Sequence, residues 1–396
     1  MALLEKQLNM NECFDVVVIG GGIAGVASAL SAARENKKVV LIEKQCILGG
    51  LATSGLIAIY LPICDGLGHQ ISFGISEELL KLSIQMGCQR KYPKAWLEDG
   101  SLEEKTKQRF EAQYNPNYFA LLLEKLLLEN NVIIYYDALL TRATVNDGLI
   151  SSIDIETLEG EKTIFGDSFI DCSGDARLAY LANEKTRVYQ KGNIVAGWYY
   201  YMEDGKLLLN KLGIVEKTNS IDSDRKSEEP LTNSRFFGGS YNDQTSFILE
   251  SHQQTLLDIS NRKKRNDNFE VTTLSMMPEM RMTRCVDCCD VLLDDIHNKH
   301  IDSIGLIADW RRRGYVYELP YRTIKTNINN LFVAGRCINV NDDMWDITRA
   351  IPCCAVSGEA AGLAASMFAS SKNVNVEVLQ NKLKENGQKL FIEEIE

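Results

Sequence analysis

The sequence predicts an α/β protein: a Rossmann-like domain that carries a β-meander and is interrupted by a second, inserted α+β domain. Three features of the 396 residues carry that reading. Near the start, Phe14-Asp15-Val16-Val17-Val18-Ile19 is a β-branched run without alternation, suited to a strand buried on both faces, and it leads into a glycine-rich turn and a helix-patterned stretch. Past the first third, short strand-like segments separated by Asn146-Asp147-Gly148 and Glu159-Gly160 turns have the look of a meander. Towards the far end a second buried-strand pattern, Asn330-Leu331-Phe332-Val333-Ala334, closes on Gly335.

Composition sets the outer limits. With 45% of residues hydrophobic and 24% charged the chain can bury an ordinary core, and at about 150 residues per domain its length suggests two domains. The 43 Lys+Arg against 54 Asp+Glu leave a formal charge of -11, a field that repels phosphate backbones, so nucleic acid is not an expected partner. Residues 1–12 show no apolar run after a basic start, and nowhere do about 18 uncharged apolar residues follow one another, so no leader and no membrane segment is expected. Eleven cysteines among apolar neighbours suit reduced thiols in a cytoplasmic protein rather than a disulfide frame.

Taken in order, the first strand runs into Gly20-Gly21-Gly22-Ile23-Ala24-Gly25, and residues 26–34 are Ala/Leu-rich with helical spacing. Gly20 permits the tight turn, Gly22 lets a pyrophosphate approach the backbone, and Gly25 lets the helix pack closely on the strand, while the helix start offers unpaired N–H groups to the anion. Val39-Val40-Leu41-Ile42 is the second strand, and Glu43 at its end can accept hydrogen bonds from ribose hydroxyls, an arrangement that disfavours a 2′-phosphate. Gly49-Gly50-Leu51-Ala52-Thr53-Ser54-Gly55 follows as a second small-residue loop, which an extended FAD needs and an NAD site seldom does. Asn115-Pro116 starts a Leu-rich helix reaching Asn130, and 132–136 is a strand. Segments 138–145, 149–156 and 162–165 make the meander, and 168–172 is a separate strand closing on Ser173-Gly174-Asp175. Part of 205–234 is expected as a surface loop, and Arg262-Lys263-Lys264-Arg265 as a solvated face.

The opening unit, ending in Glu43-Lys44, resembles the FAD-dependent oxidoreductases of the glutathione-reductase-like superfamily. Asp309-Trp310-Arg311, Tyr317-Glu318-Leu319-Pro320-Tyr321-Arg322, the strand into Gly335-Arg336 and the segment from Arg349 into Gly358-Glu359-Ala360-Ala361-Gly362 resemble the relatives of the fumarate reductase and succinate dehydrogenase flavoproteins. Arg281-Met282-Thr283-Arg284 is similar to a paired-Arg segment of that group, with Met282 in place of an acidic residue. The resemblance implies FAD held by Gly20, Gly22, Ile23, Ala24, Gly25, Glu43, Lys44, Gly49, Gly50, Leu51 and Ala52. It adds Leu140 at the adenine, Ser173 and Gly174, Gly335 and Arg336, and Pro352 and Cys353 at a helix start beside the flavin ring. It further implies an FAD-binding domain in three pieces, 13–65, 113–180 and 319–372, a substrate or cap domain from 66–112 and 181–318, and a helical tail over 373–396. No second G-x-G-x-x-G occurs, so no built-in NAD(P)H domain is expected.

Three residues are candidates for catalysis. Arg349 precedes the last helix, where the resemblance implies a guanidinium gripping a substrate carboxylate; pairing with the flavin or with Asp342, Asp343 or Asp346 is the other reading. His69 in Gly66-Leu67-Gly68-His69-Gln70 could be an acid/base or a flavin tether, or a loop histidine with an ordinary hydrogen bond. Tyr321, with Tyr317 and Arg322, could line the ring or substrate, or be core with its hydroxyl satisfied. Cys285, Cys288 and Cys289 lack a regularly spaced fourth ligand, so no metal is expected. The expected activity is hydride transfer between bound FAD and a small organic substrate, carboxylates included, with a separate electron donor or acceptor and a homo-oligomer left open. A flavin-binding electron-relay subunit and a flavin-dependent group-transfer or RNA-modifying enzyme are the alternatives.

Overall fold

The computed structural model describes residues 13–213, 230–288 and 299–395. Its opening unit is β1 (Cys13–Ile19), α1 (Ile23–Arg34) and β2 (Val39–Ile42). Val16 to Val18 and all of β2 are buried, so β-branched side chains occupy both faces because water reaches neither. Helix α2 (Pro116–Glu129) starts where the Asn115 side chain accepts the N–H groups of Asn117 and Tyr118, with Pro116 in the first turn. Strand β3 (Ile133–Tyr135) joins β2, and β4 (Leu139–Asn146), β5 (Leu149–Thr157) and β6 (Gly160–Asp171) form the meander. From the far end come β7 (Leu331–Val333) and α3 (Ile351–Ser371).

These strands make one seven-stranded sheet in the order β3-β2-β1-β6-β5-β4, with β7 paired to β6. β1 runs parallel to β2 and β6, and β7 runs parallel to β6. Ile19 and Val333 are both in register with Asp171. The turns that follow β1, β6 and β7 therefore gather at one edge, the place where open α/β sheets hold ligands.

One predicted break is absent. Segments 162–165 and 168–172 are not separate strands: β6 is continuous, antiparallel to β5 over its first part and parallel to β1 over its second. Gly166 lies within it because a Cβ there would press on the Val17 side chain at 2.6 Å. Gly166 is thus a close-approach residue in the sheet.

Helix α3 begins at Ile351 and lies against α1 through small residues. A Cβ on Gly358 or Gly362 would overlap the carbonyl oxygens of Ala24 or Ser28, and Ser31 Oγ donates to the Glu359 carbonyl at 2.8 Å. By length and composition α3 could cross a membrane, yet 89% of its apolar stretch is buried inside the protein.

The chain between β6 and β7 builds a three-stranded sheet, Gly197–Glu203, Lys206–Leu212 and Glu270–Leu274, packed on the long helix Tyr241–Arg265. Within the stretch 205–234, part of which was expected as a surface loop, 206–212 are strand, 230–234 lie outside helix and strand, and 214–229 lie outside the described residues. The basic run forms the last turn of the long helix, and Lys263 Nζ donates to the carbonyls of Asp267 and Phe269 just beyond its end. Two elements expected in the cap, Gly74–Ser83 and Ser303–Ala308, pack on α3. The C-terminal helix Val376–Glu385 buries Leu379 and Leu383.

Candidate active site

Beyond the C-terminal ends of β1, β6 and β7 lies a cleft with about 1260 Å³ of empty space, open to solvent. Gly20, Gly22, Ile23 and Ala24 of the first turn line it. Gly20 has φ +98°, which a glycine adopts freely. Gly22 is the N-cap of α1, and no side chain caps that helix. A Cβ built on Gly22 would meet nothing within 4 Å, so the space in front of it is open cleft. An uncapped helix start with room at its glycine suits a pyrophosphate.

The second glycine loop contributes Gly49, Gly50, Leu51 and Ala52, and is clamped to the first by Gly49 N–H donating to the Gly21 carbonyl at 2.7 Å. Glu43 and Lys44 follow β2 into the wall. Glu43 Oε2 accepts the Gly21 N–H at 2.6 Å and Oε1 the Gln45 N–H at 2.8 Å. Burial raises its pKa, and those two donors oppose the rise. Leu140 enters from the meander, Ser173 and Gly174 from the turn after β6, and Arg336 from the turn after β7. The other end of the cleft meets the start of α3, which also lacks a side-chain cap. These groups fit an extended dinucleotide: donors for its phosphates, a buried carboxylate for a ribose, and a second helix start for a ring that gains negative charge.

Several expected contacts stand behind the wall or away from it. Gly25 does not line the cleft, because its Cα faces the Gly20 carbonyl, and Gly335 backs onto Ala24, whose Cβ would be 2.8 Å from an added Cβ. On α3, Ile351 and Cys354 face the cleft, while Pro352 and Cys353 turn to the other side, the Pro352 carbonyl accepting from Ser76 Oγ at 3.3 Å. Of the catalytic candidates only Arg349 lines the cleft. His69 Nδ1 is 2.9 Å from Asp65 Oδ2, within a turn whose Leu67 and His69 N–H groups donate to the same carboxylate. Tyr321 opens a short turn, its N–H donating to the Asp302 carbonyl at 2.7 Å, and burial pushes its phenol up to about 12. Cys285 is buried in the strand Arg284–Val286 and Cys288 Sγ contacts the Lys325 carbonyl at 3.1 Å; Cys289 lies outside the described residues.

Sequence reasoning missed Asp175, Arg177 and Met277, all in the wall. Asp175 belongs to the marked Ser173-Gly174-Asp175 turn, though it was not assigned to the cofactor, and Arg177 follows it, so extending the site along that motif would have found both. Met277 arrives from the inserted module, and no local pattern flags it.

Around Arg349 the charges form a network. Its Nε and Nη2 donate to Asp346 Oδ1 at 2.9 and 2.6 Å, and its guanidinium lies 5.6 Å from the centre of the Trp310 ring. Arg311 reaches Asp346 Oδ2 at 3.1 Å and Asp309 Oδ1 at 3.0 Å, and Arg312 reaches Asp309 Oδ2 at 2.8 Å. Burial alone would raise Asp346, yet Arg349 and Arg311 hold it below the usual carboxylate range. Buried Arg281 is lowered to about 10 by desolvation and by the neighbouring Arg349 charge.

Fold and cleft together define an α/β protein built for an extended dinucleotide. A family model described as FAD dependent oxidoreductase matches residues 15–287 and 292–385, and the chain belongs to that family. It is an enzyme, and its cofactor is FAD. Thioredoxin reductase of Ureaplasma parvum serovar 3 is 31% identical over 103 residues, 24% of this chain and 33% of that protein. Dihydrolipoyl dehydrogenase of Chlamydia trachomatis serovar D is 34% identical over 87 residues, 21% of this chain and 19% of that protein. The matched stretches thus span a third or less of these relatives. Among solved structures, a geranylgeranyl bacteriochlorophyll reductase-like protein of Thermoplasma acidophilum gives a TM-score of 0.45 at 12% identity, covering 94% of this chain and 83% of that one. The p-nitrophenol 4-monooxygenase of Pseudomonas putida gives 0.46 at 13% identity, covering 96% and 82%.

Proposed function

We propose that the enzyme transfers a hydride between a small carboxylate-bearing substrate and FAD held in the cleft. The observation that carries this reading is the network at Arg349, where three guanidiniums, Arg311, Arg312 and Arg349, share the two carboxylates of Asp309 and Asp346. These five groups carry one net positive charge, and Arg349 is the member that lines the cleft, where a substrate carboxylate would meet it. Bound FAD supplies a two-electron acceptor and donor. Asp346 fixes one edge of the Arg349 fork, and the Trp310 ring lies beside it, so the guanidinium is oriented before substrate arrives. The uncapped start of α3 places backbone N–H groups where negative charge would develop on reduction.

The resemblance to the fumarate reductase and succinate dehydrogenase flavoproteins supports the carboxylate and the role of Arg349. The cofactor domain would comprise 13–65, 113–180 and 319–372, with Gly74–Ser83 and Ser303–Ala308 added because they pack on α3. A separate partner would carry electrons to or away from the flavin. The described cysteines are all free, which suits a reducing cytoplasm.

Binding of small unreactive carboxylates, read from perturbation of the flavin absorbance, tests the proposal. R349M should weaken such binding by about 10- to 100-fold while flavin content holds. Equal affinity in both proteins would remove Arg349 from the substrate site.

A further inference from the structure

Four of the residues that line the cleft carry a positive charge: Lys44, Arg177, Arg336 and Arg349. Arg336 donates through Nη1 to the carbonyls of Met280 and Arg281 at 2.8 and 3.0 Å, and Arg349 is held by Asp346. The Lys44 charge acts on its neighbour Glu43, making that carboxyl more acidic. Arg177 differs from these three: it is exposed at the wall, and its guanidinium has no hydrogen-bond or ion-pair partner among the described residues.

The backbone under Arg177 is fixed. Asp171 is buried at the end of β6, and its Oδ1 accepts from Ser173 Oγ at 2.6 Å while Oδ2 accepts the Ala179 N–H at 2.9 Å. Ser173 Oγ in turn accepts the Arg177 N–H at 2.8 Å, and the N–H groups of Gly174 and Ala176 both donate to Cys337 Sγ at 3.3 Å. Ala176 has φ +49°, a left-handed conformation that a residue with a Cβ adopts at a steric cost. Bonds on both sides of Ala176 hold it there, and the next residue is the arginine in the cleft wall. This turn abuts the glycine turn after β1: a Cβ built on Gly20 would stand 2.5 Å from the Cys172 carbonyl oxygen and 2.9 Å from Ser173 Cα. The short helix that Arg177 opens, Arg177–Leu181, packs on β4, which brings Leu139 and Leu140 to the same cleft. Arg177 therefore stands with the phosphate turn and the meander, in the adenosine half of the cleft.

The formal negative charge of FAD lies on its pyrophosphate. The uncapped start of α1 offers that group N–H donors and a partial charge, not a full counter-charge, and Glu43, whose Oε2 takes the Gly21 N–H at 2.6 Å, adds a carboxylate to the same turn. A guanidinium without a protein partner can supply the missing charge, with paired donors that match phosphate oxygens. We propose that Arg177 is a cofactor ligand outside the glycine motif, its guanidinium pairing with the pyrophosphate of FAD. The assignment is independent of the substrate reading above, because it concerns the half of the cofactor that takes no part in hydride transfer.

The test reads cofactor binding, not turnover. Arg177 is exposed and unpaired in the described structure, so R177M should fold as the wild type does, with unfolding of the flavin-free chain unchanged. The full chain, freed of flavin, is titrated with FAD by fluorescence, and with ADP and adenosine by competition against FAD. R177M should bind FAD and ADP about 10- to 100-fold more weakly than the wild type and adenosine equally well. Its FAD affinity should also fall less steeply with salt, since one charge pair is gone. R177K, which keeps the charge and loses the fork, should lie between the two. Unchanged affinity for FAD and ADP would remove Arg177 from the cofactor site, and an equal loss for adenosine would place it on the nucleoside instead of the phosphates; either result overturns the proposal.

Discussion

Gly22 and Gly25 sit one helical turn apart and face opposite surroundings. At Gly22 the backbone is extended, with φ -69°, and an added Cβ meets open cleft. G22V should therefore change stability by no more than about 0.5–1 kcal/mol while most of the flavin is lost on purification. At Gly25 an added Cβ overlaps the Gly20 carbonyl, so G25A should cost about 1–3 kcal/mol, read by denaturant unfolding of the apoprotein. Both glycines belong to one visible motif, and the motif does not say which serves the ligand and which serves the fold. Glu43 was legible for a similar reason, since its place at the end of β2 follows from the strand pattern. His69 and Tyr321 stand away from the cleft: His69 makes the ordinary loop hydrogen bond, to Asp65, that was its other reading, and Tyr321 is held through its backbone N–H by the Asp302 carbonyl, a contact across nineteen residues that residue type does not reveal.

Among the elements, α3 does two jobs, offering an uncapped start to the cleft and a flank of small residues to α1. Glu359 in its middle caps another element, its Oε2 accepting the Ile75 N–H at 2.9 Å and Gln388 Nε2 at 2.7 Å. Burial raises this carboxyl from 4.5 to about 7. Below pH 4.5 folded and unfolded chains both hold the proton; between there and about 7 the unfolded chain releases it first, so the group withdraws stability as pH rises through that window. E359Q has no such titration, and its unfolding free energy should vary less between pH 5 and pH 7 than that of the wild type. Curves that stay parallel would show that Glu359 keeps an ordinary pKa. The helix itself was readable from its Gly and Ala spacing, and Pro352 falls in its first turn, where proline is tolerated.

For the molecule as a whole, the parts visible in sequence are those made by local pattern: the opening unit, the meander and the closing strand and helix. The place of Met277 in the cleft wall was not, since the Arg336 bonds to the neighbouring Met280 and Arg281 carbonyls fix its segment, and those contacts span more than fifty residues of chain. The formal charge of -11 likewise describes the surface field, while anions in the cleft meet helix starts and guanidiniums. The central claim, direct hydride exchange between a small carboxylate and the flavin of this chain, is tested by anaerobic titration of the FAD-loaded protein with small hydroxy-, amino- and unsaturated carboxylates while the flavin spectrum is recorded. Bleaching of the oxidised flavin, or reoxidation of the dithionite-reduced flavin by an unsaturated acid, is predicted in the wild type and strongly slowed in R349M. Redox change only with a protein partner, and with none of these small molecules, would contradict the account.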